Sequence, residues 1–478
     1  MSAAAHVPTE PPAPFVLSRA EAESLTDGAW HGDHDAVEIR GAAIDSRAVR
    51  PGMLFACLPG ARVDGHDFAP VAAAAGAALF LASRPLAVRA TVLVVADVTA
   101  ALGAIAAAVR RRVQGTRWIG ITGSSGKTTV KELIAAACAA AGPTWATRGN
   151  LNNQLGVPLT ILNAPAGLAY AVIEMGANHQ GEVAYLARIA QPEVGVITNI
   201  GPAHLEGFGG LAGVARGKTE LFAGLPAGGT CLIGLHGTAD QARALGVDPA
   251  DVDAIVRAAA GDRRLLRVGS AETPIDGASE GDGLVLRTPA GEARLPLLGA
   301  HNLANAALAW HAAVAAGVDG RTALAGLART VPVAGRLQPK RAGSHLVLDD
   351  TYNANPSSMI AGLRVLAAYP GRRLAVLGAM GELGGDTLAG HHAVGAEAAR
   401  LGLALVTVGD AARAIGDAYR AQNGPDVEHH DERSAAIGAV LARLTDGPTT
   451  VLVKASRTAG LEVVADGVVA AAGGVKRT

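Results

Sequence analysis

Lysine is scarce in this chain. Among 478 residues it occurs six times, at 127, 131, 218, 340, 454 and 476, and every other basic position is arginine. A lysine kept against that background is a candidate for a task a guanidinium cannot perform. Cysteine is scarcer still. Cys57, Cys138 and Cys231 are odd in number, far apart and in no metal-type spacing. That excludes a disulfide framework and points to a reduced, cytoplasmic protein. No block of Lys and Arg stands out and the net charge is −1, which argues against nucleic acid as the main partner. No run reaches the roughly 18 strongly apolar residues a membrane span needs. "PVAAAAGAALFLA" is mostly alanine and too short, so no membrane partner is expected. The opening "MSAAAHVPTEPPAP" has no basic start followed by an apolar stretch. It reads as a loose tail of about 14 residues, not as a signal peptide.

What the chain does have is apolar content. Half of it is hydrophobic and 17% is charged, the composition of a globular protein. Its length predicts two to four domains, at roughly 100–200 residues each. Residues 1–113 read as a small mixed α/β domain, with short apolar runs between Gly, Pro and Asp turns. Residues 114–330 read as a longer α/β unit. "RWIGIT", "AYAVIEMG" and "VGVITNIG" are its buried strands, and "KTTVKELIAAACAAAG" and "HNLANAALAWHAAVAAG" are helices. Strands alternating with helices predict a mainly parallel sheet. Residues 331–478 start at a Pro/Gly hinge, "VPVAGRLQP", and carry "HLVLDDT", "RLAVLGAM", "LALVTVG" and "TTVLVKAS" as strands of a second doubly wound sheet.

"GITGSSGKTTVKE" joins the first strand of the middle segment to its helix. A strand, a glycine-rich turn and a helix N-terminus converge backbone N–H groups on an anion. Gly123, Ser124, Ser125, Gly126, Lys127, Thr128 and Thr129 are therefore candidate nucleotide-binding residues. Lys127 is placed to reach the outer phosphates, and Thr128 to ligate Mg²⁺. The strict phosphate-loop pattern puts a glycine five residues before Gly126, where this chain has Ile121, so the loop is a shortened variant. Glu174 closes the strand "AYAVIE" at the sheet edge where such folds bind ligands, and is a candidate Mg²⁺ ligand. His204, in "NIGPAHLEGFGG", follows the next strand at the same edge. Lys218, in "ARGKTELFAGL", reads on its own as a surface helix residue.

Taken together, "TGSSGKTTVKE", "RGNLNNQLGVPLTIL", "VIEMGANHQGE", "AHLEGFGGLAGVARGKTELF", "GAHNLANAALA" and "VLDDTYNANPSSM" resemble the Mur ligases of peptidoglycan synthesis. Each motif alone is moderate; their order and spacing over nearly the whole chain are specific. "GANHQGE" and "DDTYNANP" are most similar to the last ligase of that series. The resemblance implies three domains: a UDP-sugar-binding N-terminal domain, a central ATPase and a Rossmann-like C-terminal domain. It implies ATP as cofactor, a monomer, and UDP-N-acetylmuramoyl-tripeptide and D-alanyl-D-alanine as substrates, joined through an acyl phosphate.

The same resemblance implies roles for residues. Two Mg²⁺ ions are expected, one near Thr128 and Glu174 and one near His204. Lys218 falls where these ligases have an N-carboxylated lysine. An ammonium cannot bind Mg²⁺ but a carbamate can, and arginine cannot form one. Asn302 and Asn305 are expected near adenine, Arg336 near the γ-phosphate and Asp350 near the ribose. Tyr352, Asn353 and Asn355 are candidates for the ATP or the dipeptide side. Ser46, Arg47, Asp64 and His66 are candidates for the UDP-sugar side. The rival readings are another amide ligase of the superfamily, such as a folate polyglutamate ligase, and an ATP-binding protein that has lost ligation. The peptide motifs speak against the first. The presence of Lys127, Glu174, His204 and Lys218 speaks against the second.

Overall fold

The computed structural model describes residues 12–60, 63–280, 283–381, 387–444 and 447–473. Most of the expected N-terminal tail, and Lys476, lie outside the described residues.

Three larger sheets organise the chain, and each comes from the short apolar runs seen in the sequence. The first has five strands in the order Ala29–His31, Thr91–Val94, Leu79–Ala82, Leu54–Ala56 and Ala42–Ala43. All its pairs are parallel except the one made by Ala29–His31. An alanine-rich helix, Val98–Arg112, leaves this sheet. Asp97 caps its start by accepting from the N–H groups of Thr99 and Ala100, and three arginines occupy its last turn. Both features suit the helix dipole.

The second sheet has six strands, all parallel, in the order Arg264–Val268, Thr230–Gly234, Val194–Ile197, Arg117–Thr122, Tyr170–Glu174 and Thr144–Ala146. Helices cover both faces, which is why its strands read as continuous apolar runs. A three-stranded antiparallel sheet, Asp276–Glu280, Gly283–Thr288 and Gly291–Leu295, packs beside the helix Ala300–Ala315. Sequence reading did not anticipate it, because its strands alternate polar and apolar residues only weakly.

The third sheet runs Gln338–Ala342, His345–Asp350, Thr449–Lys454, Arg372–Gly378, Ala404–Val408 and Val427–His430. All are parallel except Gln338–Ala342, an antiparallel edge strand. The four runs expected as strands all form. The two outer strands went unseen, since "QPKRA" and "VEHH" are polar.

The cores divide the molecule unevenly. One apolar core continues from Phe15, Leu102 and Ile105 through Trp118 and Leu186 to Val256, so the first two sheets share an interior. The third sheet has its own cores, with Leu363 and Ile415 on one face and Val440 and Val464 on the other. Polar groups reinforce the shared interior. Arg110 is buried, with its guanidinium 4.4 Å from the Trp118 ring centroid, and it donates to the carbonyls of Ala190 and Gln191. Asn163 clamps the edge strand of the first sheet. Its Oδ1 accepts from the Ala42 N–H at 3.1 Å, and its Nδ2 donates to the Ala42 carbonyl at 2.9 Å.

Asn163→Ala strips both Ala42 backbone groups of their partner. The expected cost is about 1–3 kcal/mol, the scale of unsatisfied part-buried polar groups. Urea unfolding followed by circular dichroism measures it. An unchanged midpoint would mean that the clamp holds nothing.

Candidate active site

The carboxyl ends of the second and third sheets face each other across a cavity of about 1210 Å³. The phosphate loop forms its floor. Strand Arg117–Thr122 ends, the chain turns through Gly123–Gly126, and the helix Lys127–Ala139 begins. The turn is braced by the neighbouring strand. Asn199 accepts the N–H of Ser124 on its carbonyl at 3.1 Å and the N–H of Ser125 on its Oδ1 at 3.0 Å. Thr198 Oγ1 donates to the Ser125 carbonyl at 2.6 Å. Gly123 passes so close to this brace, at φ +141°, that a Cβ there would lie 2.0 Å from Thr198 Oγ1. With the Ser124 and Ser125 amides engaged, the anion-facing amides are those that open the helix, which have no acceptor within it. Lys127 curls back to donate to the Gly123 carbonyl at 2.9 Å.

Glu174 ends the strand beside the loop, in register with Ile121. It is 2% exposed. Its N–H donates to Thr147 Oγ1 and its Oε1 accepts from Asn152 Nδ2 at 2.8 Å. Its Oε2 is buried and has no hydrogen-bond partner among the described residues. A buried carboxylate oxygen left in this way calls for a ligand. His204 also lines the cavity, on a backbone with φ +52°, a region that non-glycine residues seldom occupy and that clusters at functional sites.

Lys218 corrects its surface reading. It is 1% exposed, lies beneath the cavity wall, and donates to the carbonyl of Ala177 at 2.9 Å. Its Nζ sits 4.7 Å from the Phe208 ring centroid. Burial, helped by the nearby Lys127 charge, pulls its pKa down to about 7, against the opposing pull of Glu182 and Glu220.

The third sheet supplies the opposite wall. Arg336 reaches across to donate to Thr128 Oγ1 at 3.0 Å, and its guanidinium lies 4.4 Å from the Tyr352 ring centroid. Asp350 accepts from the Leu337 N–H and pairs with Lys454 at 2.7 Å. Lys454 also donates to the Asn353 carbonyl. Asn355 caps the helix Pro356–Ala367 in a reciprocal pair with Ser358, which by itself accounts for an asparagine there. Asn302 and Asn305, hydrogen-bonded to each other at 3.0 Å, enter from the helix Ala300–Ala315. Burial pulls the neighbouring His301 down to about 4 and lowers His236, which favours the neutral imidazole at both.

Thus the loop, Glu174, His204, Asn302, Asn305, Arg336, Asp350, Tyr352, Asn353 and Asn355 meet at one cavity, with Lys218 beneath it. Ser46, Arg47, Asp64 and His66 do not line it. Ser46 and Arg47 lie in a turn capped by Asp45, to which Arg47 is also paired. Asp64 caps the next such turn. The His66 N–H and the Arg84 guanidinium hold its carboxyl well below the usual range. His66 is buried between Asp64, 2.5 Å from its Nδ1, and the Ser83 N–H. Sequence reading passed over Asn152, Thr198, Asn199 and Lys454. The first three stood inside motifs already noted, and Lys454 was one of the six lysines.

Comparison with known proteins gives matches along most of the chain. The family model described as Mur ligase family, catalytic domain, matches residues 38–135. Mur ligase middle domain matches 121–313, and Mur ligase, glutamate ligase domain, matches 335–457. An Escherichia coli protein named UDP-N-acetylmuramoyl-tripeptide–D-alanyl-D-alanine ligase is 40% identical over 446 residues, covering 89% of this chain and 94% of its own. A Mycobacterium tuberculosis protein of the same name is 38% identical, covering 89% and 91%. A crystal structure of MurF from Acinetobacter baumannii superposes with a TM-score of 0.85 at 33% identity, covering 96% of this chain and 100% of that one. MurF ligase from Thermotoga maritima in complex with ADP gives 0.77 at 27% identity, covering 91% and 98%.

The brace on the loop predicts a sharp contrast between two glycines. Gly123→Ala should weaken ATP binding at least about tenfold, because the methyl group collides with Thr198 and the turn must open. Gly167→Ala, also at positive φ but with nothing within 4 Å, should leave binding unchanged. Isothermal titration with ATP compares them, and equal affinities would contradict the brace.

Proposed function

Because the chain belongs to the Mur ligase family, we propose that it is the ATP-dependent ligase that joins D-alanyl-D-alanine to UDP-N-acetylmuramoyl-tripeptide, in cytoplasmic peptidoglycan precursor synthesis. The chain has that family's α/β architecture in three parts. We place the boundaries at 113/114 and 330/331. The first part takes the UDP-sugar, on the side of Ser46, Arg47, Asp64 and His66. The observation that carries most weight is the cavity. A phosphate loop and a buried, half-satisfied carboxylate lie on one wall, and the second sheet's loop is bonded directly to an arginine of the other.

A carboxylate is a poor electrophile, and phosphorylation gives it a leaving group. The terminal carboxylate of the tripeptide attacks the γ-phosphorus of ATP and ADP departs. The free amine of the dipeptide then attacks the acyl carbon, and phosphate leaves from the tetrahedral adduct. The first step brings two anions together, so its barrier is largely electrostatic. The helix-opening amides and Lys127 hold the outer phosphates. Arg336 meets the γ-phosphate from the facing wall, and its bond to Thr128 keeps it there. Asn302 and Asn305 take the adenine, and Asp350 takes a ribose hydroxyl. Tyr352, Asn353 and Asn355 lie on the nucleotide or dipeptide side.

Magnesium fits this donor set. The orphaned Glu174 oxygen and the Thr128 hydroxyl are hard donors suited to one ion. His204 and a carbamate on Lys218 would hold a second, and the ions supply positive charge between the reacting anions. The carbamate forms when the neutral amine of Lys218 attacks CO2 and releases a proton. Burial favours that neutral amine, and Lys218 already lies beside the cavity.

A ligation panel tests the reading. UDP-N-acetylmuramoyl-tripeptide with D-alanyl-D-alanine should release ADP and phosphate, whereas single amino acids should give at least about 100-fold lower kcat/KM. Equal turnover of a single amino acid would overturn it.

Lys218 gives a second test. Lys218→Ala should lose most activity, and acetate or formate should restore part of it by supplying an anion in the vacated space. The same acids should not rescue Lys127→Ala, which lacks a cation. Near-full activity of Lys218→Ala in CO2-depleted buffer would exclude the carbamate.

A further inference from the structure

The cations lining the cavity are nearly all engaged. Lys127 donates to the Gly123 carbonyl, Arg336 to Thr128, Lys454 to Asp350, and Arg364 to Glu397. Arg457 differs. It lines the cavity, its side chain is 68% exposed, and its guanidinium makes no hydrogen bond among the described residues. Its nearest carboxylate, Glu462, is 3.9 Å away, beyond hydrogen-bond reach.

Its position is set by the third sheet. Strand Thr449–Lys454 is buried along its whole length, and Arg457 opens the short turn Arg457–Ala459 just past its carboxyl end. The adjacent strand, His345–Asp350, ends beside it and continues into the loop carrying Asn353 and Asn355. In open α/β sheets, ligands are held in the crevice outside these strand ends.

The acceptor has two ends with opposite needs. Its amine must reach the acyl phosphate as a neutral nucleophile. Its carboxylate is repelled by the nucleotide and the acyl phosphate, so it needs a cation on the wall away from the phosphate loop. We propose that Arg457 is that cation: it binds the terminal carboxylate of the dipeptide and so selects an acceptor with a free C-terminus. A guanidinium suits this role because its planar fork meets a carboxylate through two parallel N–H donors. The assignment rests on the ligase reading above.

The test pairs a side-chain change with the matching change in substrate. Arg457→Ala should raise KM for D-alanyl-D-alanine about 10- to 100-fold, the scale of a lost charge-assisted pair. KM for ATP and for UDP-N-acetylmuramoyl-tripeptide should stay within about twofold, and Arg457→Lys should recover part of the loss. D-alanyl-D-alaninamide, which has no carboxylate, should bind the wild type about as poorly as the dipeptide binds Arg457→Ala, and the substitution should barely affect it. Equal losses for dipeptide and amide would overturn the assignment, as would a shift falling on ATP. A wild type that does not discriminate against the amide would overturn it without any variant. If the wild type ligates no dipeptide, the ligase reading itself fails. If it does and Arg457→Ala is unchanged, only the Arg457 assignment fails.

Discussion

The site depends on the register of three neighbouring parallel strands. Tyr170–Glu174, Arg117–Thr122 and Val194–Ile197 pair so that Glu174 lies across from Ile121 and Ile197 across from Thr122. Their carboxyl ends therefore stop at nearly one level. That places a carboxylate on one side of the phosphate loop and the Thr198–Asn199 brace on the other. A slip of one residue in either pair would turn Glu174 away or put an apolar side chain where Thr198 supports the turn. The buried faces of the sheet hold the register, because each strand has apolar partners above and below.

Charge is managed around that frame by giving nearly every group a partner. Lys454 balances Asp350, Asn152 holds one oxygen of Glu174, and Arg336 links the two walls. Among the charged groups of the cavity, the second oxygen of Glu174 and Nε of Arg336 are buried without a partner among the described residues, and the exposed guanidinium of Arg457 makes no hydrogen bond among them. An enzyme that must assemble several anions keeps its neutralising groups oriented beforehand, so that little reorganisation is left for the reaction itself.

Much of this was legible in the sequence, for a definite reason. Buried parallel strands are continuous apolar runs, so "RWIGIT", "AYAVIE" and "TTVLVK" announced themselves. The phosphate loop did too, since few other turns place Gly, Lys and Thr between a strand and a helix. Polar edge strands such as Gln338–Ala342 carry no such periodicity and stayed hidden. Lys218 shows the limit of local reading. On its helix it looks like a solvent-facing lysine, and only the packing of Phe208 and Ala177 against it puts it in the interior. Asn152 and Asn199 are similar cases. Their role is to hold another residue still, and that depends on a neighbour distant in the chain.

The core shared by the first two sheets also sets a length. One interior runs from Phe15 to Val256, so the first sheet and the strand that leads into the phosphate loop are packed on common ground, which limits how far they can part. If the first part takes the UDP-sugar as proposed, the substrate presents its peptide carboxylate to the loop only when the peptide bridges the distance between them. On that proposal the packing of Trp118 against Arg110, part of this shared interior and remote from any chemistry, would act as a ruler for the length of the peptide.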